Sequence, residues 1–401
     1  MRPFKALISL DEALSICMDA ASPVERVETL GLRDAPGRVA ASDVTAKISV
    51  PSTDRAAMDG YAVTASNTFG AGRFKPKVLR RIDTVYAGGV PRKRVANHTC
   101  IEVATGSTIP HGADAVVKVE DTERKGDFVS VYTPVHPGEN ISGRGEDIRR
   151  GEHVIAKGDF LSPARIGVLA AVGAADVRVY RRPKVAVLTT GDEVVEPGGP
   201  IRPGQVYDIN AFTLSVVVEQ NGGVAKRLPR VPDDIRSLRN SLRNAAKCDL
   251  VVFSGGSSVG EKDLIMDVLK ELGEVLFHGV AVKPGKPTVL GRVGRTPVLG
   301  MPGYPTSCLS NAYMLLAPML RNMARLPPRH ENIVEAPISR RLVSTIGRVE
   351  FHTVKIEKGK AVPVYKESGA ITSMANADGY IKIPANVDLI EAGEKVRVIL
   401  F

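Results

Sequence analysis

A strand and a polar turn follow one another in the stretch Leu250-Val-Val-Phe-Ser-Gly-Gly-Ser-Ser-Val-Gly-Glu-Lys-Asp263. The apolar, β-branched start predicts a buried strand, and the periodic run from Leu264 to Leu272 predicts a helix. Paired glycines after a strand allow backbone N–H groups to converge on an oxyanion or phosphate, although an ordinary strand-to-helix turn is the alternative. The residues that would form this anion site are Ser254, Gly255, Gly256, Ser257 and Ser258.

Strands and helices alternate from Lys184 onward, which predicts a mostly parallel, doubly wound sheet with its ligands at the carboxyl ends of the strands. The predicted strands are Lys184 to Leu188, Val224 to Leu228, Leu250 to Phe253, Val289 to Leu290 and Pro297 to Leu299. The predicted helices run from Asn210 to Asn221, from Asp233, from Leu264, and from Pro305 to Leu326 with a kink at Pro318.

The regions on either side of this α/β segment have different patterns. A capping box at Ser9 begins a helix from Leu10 to Ala20, and short β runs separated by Gly and Pro from Ala46 to Ile148 predict a mainly β lobe. After Pro327-Pro328, the alternating runs up to Phe401 predict a small β-barrel or sandwich.

Polar turns close several of the predicted strands. Asp192 and Glu193 follow the strand that begins at Lys184, and adjacent carboxylates suit Mg²⁺ or a sugar or pterin donor group, unless they are a solvated surface turn. Asp208, Asn210 and Asp233 stand at helix starts, where each either caps its helix or also contacts a ligand.

Two further turns suit anions. In Lys283-Pro-Gly-Lys-Pro287 the prolines stiffen the loop and Lys283 and Lys286 can meet a phosphate or tetrahedral oxyanion. Gly300-Met-Pro-Gly-Tyr-Pro-Thr-Ser307 places backbone N–H groups and hydroxyls at a helix start, or is simply a rigid entry turn. In the N-terminal part, the polar residues around Asp59, from Val50 to Val63, indicate a site, although Asp59 could also form a turn.

Composition narrows the class of protein. The chain has 401 residues, 43% of them hydrophobic and 24% charged, which is typical of a globular protein with two to four domains. The net charge is +10, and the basic residues are clustered in the sequence without interleaved aromatic residues or a known nucleic-acid-binding motif. We therefore expect no nucleic-acid partner. We also expect no membrane span, a cytoplasmic location, and neither a disulfide framework nor a zinc site from its 4 isolated cysteines.

Seven segments stand in order along the chain: PSTDRAAMDGYAV at 51–63, TGSTIPHGADAVV at 105–117, GEDI at 145–148, TTGDE at 189–193, the loop 254–263, KPGKP at 283–287 and PGYPTS at 302–307. Together they resemble the MoeA family, the molybdenum insertases of molybdopterin cofactor synthesis, to which gephyrin is related. The order and spacing are those of the family, and the resemblance covers essentially the whole chain.

The resemblance implies four structural domains in an elongated homodimer. We expect an N-terminal and linker region at 1–181 with an inserted β lobe at about 46–149, a MogA/MoaB-like catalytic domain at 182–328, and a C-terminal β-barrel at 329–401. The implied reaction converts adenylylated molybdopterin and molybdate into molybdenum cofactor and AMP with Mg²⁺, and a molybdopterin adenylyltransferase is an expected partner.

Carried over by position, the functionally important family positions are Asp59, Asp147, Glu193, Asp233, Asp263, Lys283, Pro302 and Pro305. Our hypothesis assigns catalysis to Asp59, Glu193, Asp263, Lys283 and Lys286, and Mg²⁺ to Asp192, Glu193 and Asp263. It assigns substrate binding to Asp147, Thr190, Gly191, Asp192, Asp208, Asp233, Ser254, Gly255, Gly256, Ser257, Ser258, Pro302, Gly303, Pro305 and Ser307.

Two positions depart from the family pattern. Many members have a basic residue four positions before KPGKP, where this chain has Gly279 beside His278, and many have PGNP where this chain has Tyr304 between the glycine and the second proline. Both departures touch the oxyanion region. The alternatives to a molybdenum insertase are a tungstate-preferring insertase, a molybdopterin adenylyltransferase and a non-enzymatic, gephyrin-like scaffold.

Overall fold

The computed structural model describes residues 7–255, 264–365 and 369–401, and it separates into two compact units. The larger unit consists of Met1–Glu28, Gly37–Val39 and Val179–Phe401, and the smaller unit consists of Thr29–Pro36 and Ala40–Arg178. The smaller unit is therefore an insertion within the sequence of the larger one.

A mixed sheet forms the centre of the larger unit. Across the sheet the strands are Val224–Arg227, Lys184–Thr189, Leu250–Ser254, Thr296–Met301, Val289–Val293 and Gly273–His278. The first four are mutually parallel, Val289–Val293 runs antiparallel to them, and Gly273–His278 pairs antiparallel with Val289–Val293 and so has the direction of the first four, which confirms the prediction of a mostly parallel sheet. The sequence analysis misses Gly273–His278, because this strand begins at the residue after a helix ends, with no loop between them.

Helices pack on both faces of this sheet. They are Leu10–Ala20, Asn210–Gln220, Ile235–Ala245, Leu264–Leu272, Pro305–Asn311, Ala317–Met323 and Thr372–Ala375. Val185 packs in one apolar cluster with Leu214, whereas the next residue, Ala186, packs in another with Leu238. Successive residues of a strand point to opposite faces, so this alternation confirms the doubly wound arrangement.

Two helix predictions need correction. The helix predicted from Pro305 to Leu326 ends at Met323, and a π-helical segment, Ala312–Leu316, takes the place of a kink at Pro318. Pro318 falls in the first turn after that segment, where its missing N–H is tolerated. The helix predicted to start at Asp233 begins at Ile235.

Side-chain caps explain where several helices begin. Ser9 accepts a hydrogen bond from the backbone N–H of Glu12, which confirms the predicted cap of Leu10–Ala20. The cap of Ile235–Ala245 is Asp234, whose Oδ1 accepts from the backbone N–H of Ser237 at 2.8 Å. Asp233 is thus not the cap, which leaves its carboxyl group for another role.

The C-terminal residues of the larger unit form a second sheet. Its strands are Val282–Lys283, Val349–Glu357, Gly379–Ile383, Lys395–Leu400 and Ile333–Pro337 in that order, and Lys360–Pro363 also pairs with Val349–Glu357. Short pairs are formed by Leu342–Val343 with Leu389–Ile390, and by Val194–Val195 with Val206–Tyr207. Val282–Lys283 pairs with Val349–Glu357, so the KPGKP segment begins on a strand of this sheet although it lies before the C-terminal domain predicted at 329–401.

The smaller unit is mainly β, as predicted. Its principal sheet has the order Ala115–Lys118, Gly60–Val63, Thr99–Val103, Lys77–Val85, Phe128–Val131 and Thr122–Lys125. Short pairs join Val44–Thr45 to His153–Ile155 and Arg55–Ala56 to Ile141–Ser142, and Ser162 caps the helix Pro163–Ala171. The strands Val27–Gly31 and Asp176–Tyr180 lie where the chain passes between the units.

Apolar segments of the described chain are short. Within residues 7–255, 264–365 and 369–401, no helix has the length and hydropathy needed to cross a membrane. Cys17, Cys100, Cys248 and Cys308 are all free thiols, and all but Cys248 are buried.

Candidate functional site

A cavity of about 590 Å³ lies where the parallel strands of the larger unit end. Carboxyl ends of parallel strands are the usual ligand-binding edge of such sheets. The residues predicted from sequence that line it are Thr190, Glu193, Asp208, Ser254, Gly255, Pro302, Gly303 and Pro305. The structure thus brings together turns that are more than 100 residues apart in the sequence.

Asp208 lines the cavity and is hydrogen-bonded to the end of the strand Lys184–Thr189. Its Oδ2 accepts a hydrogen bond from Thr189 Oγ1 at 2.6 Å, and its Oδ1 accepts from the backbone N–H of Ala211 at 2.9 Å. The side chain is buried and caps the helix Asn210–Gln220. Asp208, and not Asn210, therefore has the capping role that the sequence left open between them.

Asn210 links two of the glycine turns. Its Nδ2 donates to Ser254 Oγ at 2.6 Å and to the carbonyl of Gly303 at 2.7 Å. Within the described part of the chain, the buried Oδ1 of Asn210 has no hydrogen-bond partner. A buried acceptor without a partner is costly, so this amide is suited to receive a ligand donor.

Gly255 and Gly191 both have positive φ angles, and Gly255 is also close to a backbone carbonyl. Gly255 has φ of +94°, and a Cβ there would lie 2.5 Å from the carbonyl oxygen of Thr190. Gly191 has φ of +130°, and its Cβ would lie 2.8 Å from the carboxylate of Glu193. Only glycine accepts both conditions, so the two turns can approach each other at the cavity.

Carboxylates crowd together beside the cavity. Burial and the neighbouring carboxylates of Asp192 and Glu193 raise the pKa of Asp233. Arg230 contacts Asp192 at 3.2 Å and donates to the carbonyl of Gly191 at 2.8 Å, which partly balances this negative charge. Among the described residues no three potential ligands are close enough to hold a metal ion.

Lys283 is bound to a buried carboxylate. Its Nζ lies 2.9 Å from Oε1 of Glu350, which is 1% exposed, and 2.9 Å from Thr345 Oγ1. His352 Nε2 is 2.7 Å from the other oxygen of Glu350. Burial would raise the pKa of Glu350, but hydrogen bonds from His352, Lys283 and Thr345 outweigh it and lower this pKa to about 2. The charge of Lys283 is therefore already paired.

The KPGKP loop after Lys283 is hydrogen-bonded to the helix Pro305–Asn311. Asn311, buried in the helix Pro305–Asn311, donates from Nδ2 to the carbonyl of Gly285 at 2.8 Å and also contacts Thr288 Oγ1. Gly285 has φ of +113°, and a Cβ there would lie 2.5 Å from the Asn311 amide. Lys286 is half-buried, and Pro287 at the end of the loop lines the cavity.

Asp59 and Asp147 belong to the smaller unit. The Oδ1 atom of Asp59 accepts hydrogen bonds from Thr105 N at 2.7 Å and Thr105 Oγ1 at 2.9 Å, which lower its pKa. It lines a separate cavity of about 340 Å³ together with Tyr86 and Glu102. Asp147 is exposed in its turn.

Comparisons with known proteins cover nearly the whole chain. Family models match at 8–173 ("MoeA N-terminal region (domain I and II)"), at 186–322 ("Probable molybdopterin binding domain") and at 335–401 ("MoeA C-terminal region (domain IV)"). A molybdopterin molybdenumtransferase 2 of Mycobacterium tuberculosis is 32% identical, with 95% of this chain and 96% of that protein covered. The chain belongs to the MoeA family.

Two further MoeA relatives agree with this assignment. A molybdopterin molybdenumtransferase of Haemophilus influenzae is 34% identical over 86% of this chain and 85% of its own length. A crystal structure of the molybdopterin biosynthesis MoeA protein from Pyrococcus horikoshii OT3 is 33% identical, with a TM-score of 0.85 over 99% of this chain and 100% of that one. The MoeA multidomain architecture expected from the sequence is thereby confirmed.

Some of the predicted site residues of this MoeA chain lie outside the described residues, namely Gly256, Ser257, Ser258 and Asp263. Ser307 is buried in the first turn of the helix Pro305–Asn311. The catalytic, substrate-binding and Mg²⁺ roles assigned from the sequence stay predictions.

The sequence analysis misses polar residues that organise this MoeA site, chiefly Glu350 and Asn311. Only Asn311 carries a sequence signal that could have been used, because it directly precedes an apolar run, whereas Glu350 shares its strand with other polar residues such as His352 and Lys355. Glu350 stands in the strand Val349–Glu357 and Asn311 precedes Ala312-Tyr-Met-Leu-Leu316. A polar residue that is buried beside such an apolar run is expected to be hydrogen-bonded.

Proposed function

We propose that this protein is a molybdenum insertase, which transfers molybdenum from molybdate into adenylylated molybdopterin and releases AMP. The observation that carries the proposal is the cavity at the strand ends, where glycine turns and buried polar groups of a MoeA chain converge. The curated relatives named molybdopterin molybdenumtransferase support the same chemistry.

The glycine turns would hold the phosphate groups of the substrate. Backbone N–H groups near Gly255 and at the start of the helix Pro305–Asn311 offer donors without a competing charge. The unpartnered Oδ1 of Asn210 can accept a hydrogen bond from the substrate. The bond broken is a phosphoanhydride, so fixed dipoles and positioning can supply most of the rate enhancement.

Mg²⁺ is a proposed cofactor of this reaction. Asp192 and Glu193 offer hard oxygen atoms of the kind that this cation prefers, although the described residues do not by themselves bring three such ligands together. Asp192 and Glu193, with Asp263, would hold it, and it would supply neutralisation of phosphate charge. Within the protein, Arg230 holds Asp192 in place.

Lys283 and Lys286 are proposed to meet the oxyanion or the pyrophosphate bridge. Because Glu350 pairs with Lys283, that lysine is held in one position and does not act as an isolated charge. Pro287 brings the end of the same loop to the cavity wall. The loop therefore links the C-terminal sheet to the proposed substrate site.

We further propose a cytoplasmic homodimer in which Asp59 of one subunit completes the site of the other. The hydrogen bonds from Thr105 fix Asp59 as a carboxylate at the surface of the smaller unit. Asp59→Asn is expected to remain dimeric by light scattering and to lose insertion, whereas wild-type turnover of this variant would remove Asp59 from the site.

The test of the function is AMP release from adenylylated molybdopterin with Mg²⁺ and with molybdate, tungstate or neither. Oxyanion-stimulated release is the expected result, and the more effective oxyanion identifies the natural metal. ATP-dependent adenylylation of molybdopterin would instead indicate a molybdopterin adenylyltransferase. A folded dimer that has neither activity would favour the non-enzymatic scaffold.

A further inference from the structure

Tyr304 is a large aromatic residue left open at the edge of the cavity. Its side chain is 66% exposed and lines the cavity at the turn between the strand Thr296–Met301 and the helix Pro305–Asn311. Among the described residues its hydroxyl group has no hydrogen-bond partner. An aromatic ring exposed at a cavity wall is a typical contact surface for a ligand.

The backbone under this ring is fixed on both sides. The carbonyl of Gly303 accepts a hydrogen bond from Asn210 at 2.7 Å, and the carbonyl of Tyr304 accepts from Cys308 N at 2.9 Å. Pro305 occupies the first turn of the helix and limits the chain further. The ring therefore has only its two side-chain torsions to lose when it packs against a ligand, which keeps the entropic cost low.

The surroundings of the ring suit a flat, apolar-faced group. Val206 and Ile209 line the same cavity together with Tyr207, whose hydroxyl is engaged with the carbonyl of Gly199 at 2.9 Å. Gly369 comes so close that a Cβ there would lie 3.7 Å from Cδ1 of Tyr304. A larger side chain at 369 would therefore cover the ring, and glycine keeps it accessible.

We propose that Tyr304 determines specificity by stacking on the planar nitrogen heterocycle of the substrate. The inference rests on the proposed function, in which the substrate carries a pterin and an adenine, and both rings offer the same stacking chemistry. A planar ring on a fixed aromatic side chain explains why a polar turn at a helix start carries an exposed tyrosine. The phosphate-holding turns then bind the phosphate groups of the substrate, and Tyr304 binds its ring.

Equilibrium binding by calorimetry tests the proposal with three probes: AMP, 6-hydroxymethylpterin and inorganic pyrophosphate. Tyr304→Ala is expected to weaken binding of a ring-bearing probe by roughly tenfold, because stacking of a base on an aromatic ring commonly contributes that much. Tyr304→Phe, which keeps the ring, is expected to bind within about twofold of the wild type. Loss for AMP alone identifies adenine as the stacked ring, and loss for the pterin alone identifies the pterin.

Controls separate stacking from damage to the site. Phe74→Ala removes a 97% exposed ring from the smaller unit and is expected to leave binding of every probe unchanged. Pyrophosphate has no ring, so its affinity is expected to be the same for wild type and Tyr304→Ala. The proposal would be overturned if Tyr304→Ala bound all three probes more weakly by the same factor, or if it bound them as tightly as the wild type. It would also be overturned if the wild-type protein bound neither AMP nor 6-hydroxymethylpterin.

Kinetics distinguish this inference from the proposed function. If both hold, Tyr304→Ala raises the KM for adenylylated molybdopterin by roughly tenfold and leaves kcat within about twofold. Wild-type protein that releases no AMP with either oxyanion would contradict the insertase, while the calorimetric result for the rings would still stand by itself.

Discussion

At the scale of single residues, Lys283 is a motif residue that also pairs with the buried carboxylate of Glu350. The lysine belongs to the KPGKP segment, which the sequence associates with anions, yet its Nζ lies 2.9 Å from a carboxylate that is 1% exposed. Removing Lys283 is costly because the buried carboxylate of Glu350 then loses the cation that it pairs with.

Lys283→Met is therefore expected to destabilise the larger unit by about 1 kcal/mol, because the Lys283 side chain is 43% exposed and Glu350 keeps its bonds to Thr345 and His352. Denaturant unfolding followed by circular dichroism measures this loss. The double variant Lys283→Met with Glu350→Gln removes both charges and is expected to recover most of the stability. Equal stability of the single variant and the wild type would show that Lys283 does not compensate Glu350.

Gly255 supplies a second prediction at the residue scale. Gly255→Ala is expected to destabilise the protein by about 2 kcal/mol, because its φ of +94° and the Thr190 carbonyl at 2.5 Å both oppose a methyl group. The matched control is Gly303→Ala, where the nearest atom to the added Cβ is 3.6 Å away. Similar unfolding midpoints for the two variants would contradict this geometry.

At the scale of elements, the helix Pro305–Asn311 supports the KPGKP loop through one amide. Asn311 donates to the carbonyl of Gly285 and contacts Thr288, so the loop is tied to the helix at two points. Such buried side-chain bonds to backbone position loops that carry few apolar contacts of their own.

Asn311→Ala is expected to cost about 2 kcal/mol of stability and to increase amide hydrogen exchange within 283–288. Ser310→Ala is the matched control, since Ser310 is equally buried and its hydroxyl donates to the carbonyl of Ser307 in its own helix. We expect exchange in the loop to be unchanged by the control. Unchanged exchange in Asn311→Ala as well would mean that the loop is held elsewhere.

At the scale of the whole molecule, charge governs the response to acid. The chain carries a net charge of +10 near neutral pH, and every carboxylate that protonates adds to it. The pKa of Glu350 is lowered from 4.5 to about 2 by its hydrogen bonds. Because the folded value lies below the unfolded one, Glu350 stabilises the fold above about pH 4.5, and this stabilisation is lost as the pH falls toward 2.

The free energy of unfolding of the wild type is therefore expected to fall by roughly 3 kcal/mol more than that of Glu350→Gln over this acid range. Urea unfolding of both proteins at a series of pH values below 7 measures the difference. Parallel curves for the two proteins would show that Glu350 does not titrate abnormally in the folded state.

The sequence by itself determined the elements and the turns that matter. Strand Leu250–Ser254 and helix Leu10–Ala20 follow from apolar periodicity and a capping serine, which are local properties. The glycine turns at 191 and 255 and the order of the family segments were equally readable, because motif residues keep their chemistry wherever the chain places them.

Only the tertiary structure decided which polar groups meet. Asp233 lies one residue before the actual cap and near two other carboxylates, Lys283 pairs with Glu350 across 67 positions of sequence, and the strand Gly273–His278 joins the sheet antiparallel. Such pairings depend on burial and on distances between remote segments. Local propensity carries no information about either, so the partners of these groups had to come from the packed fold.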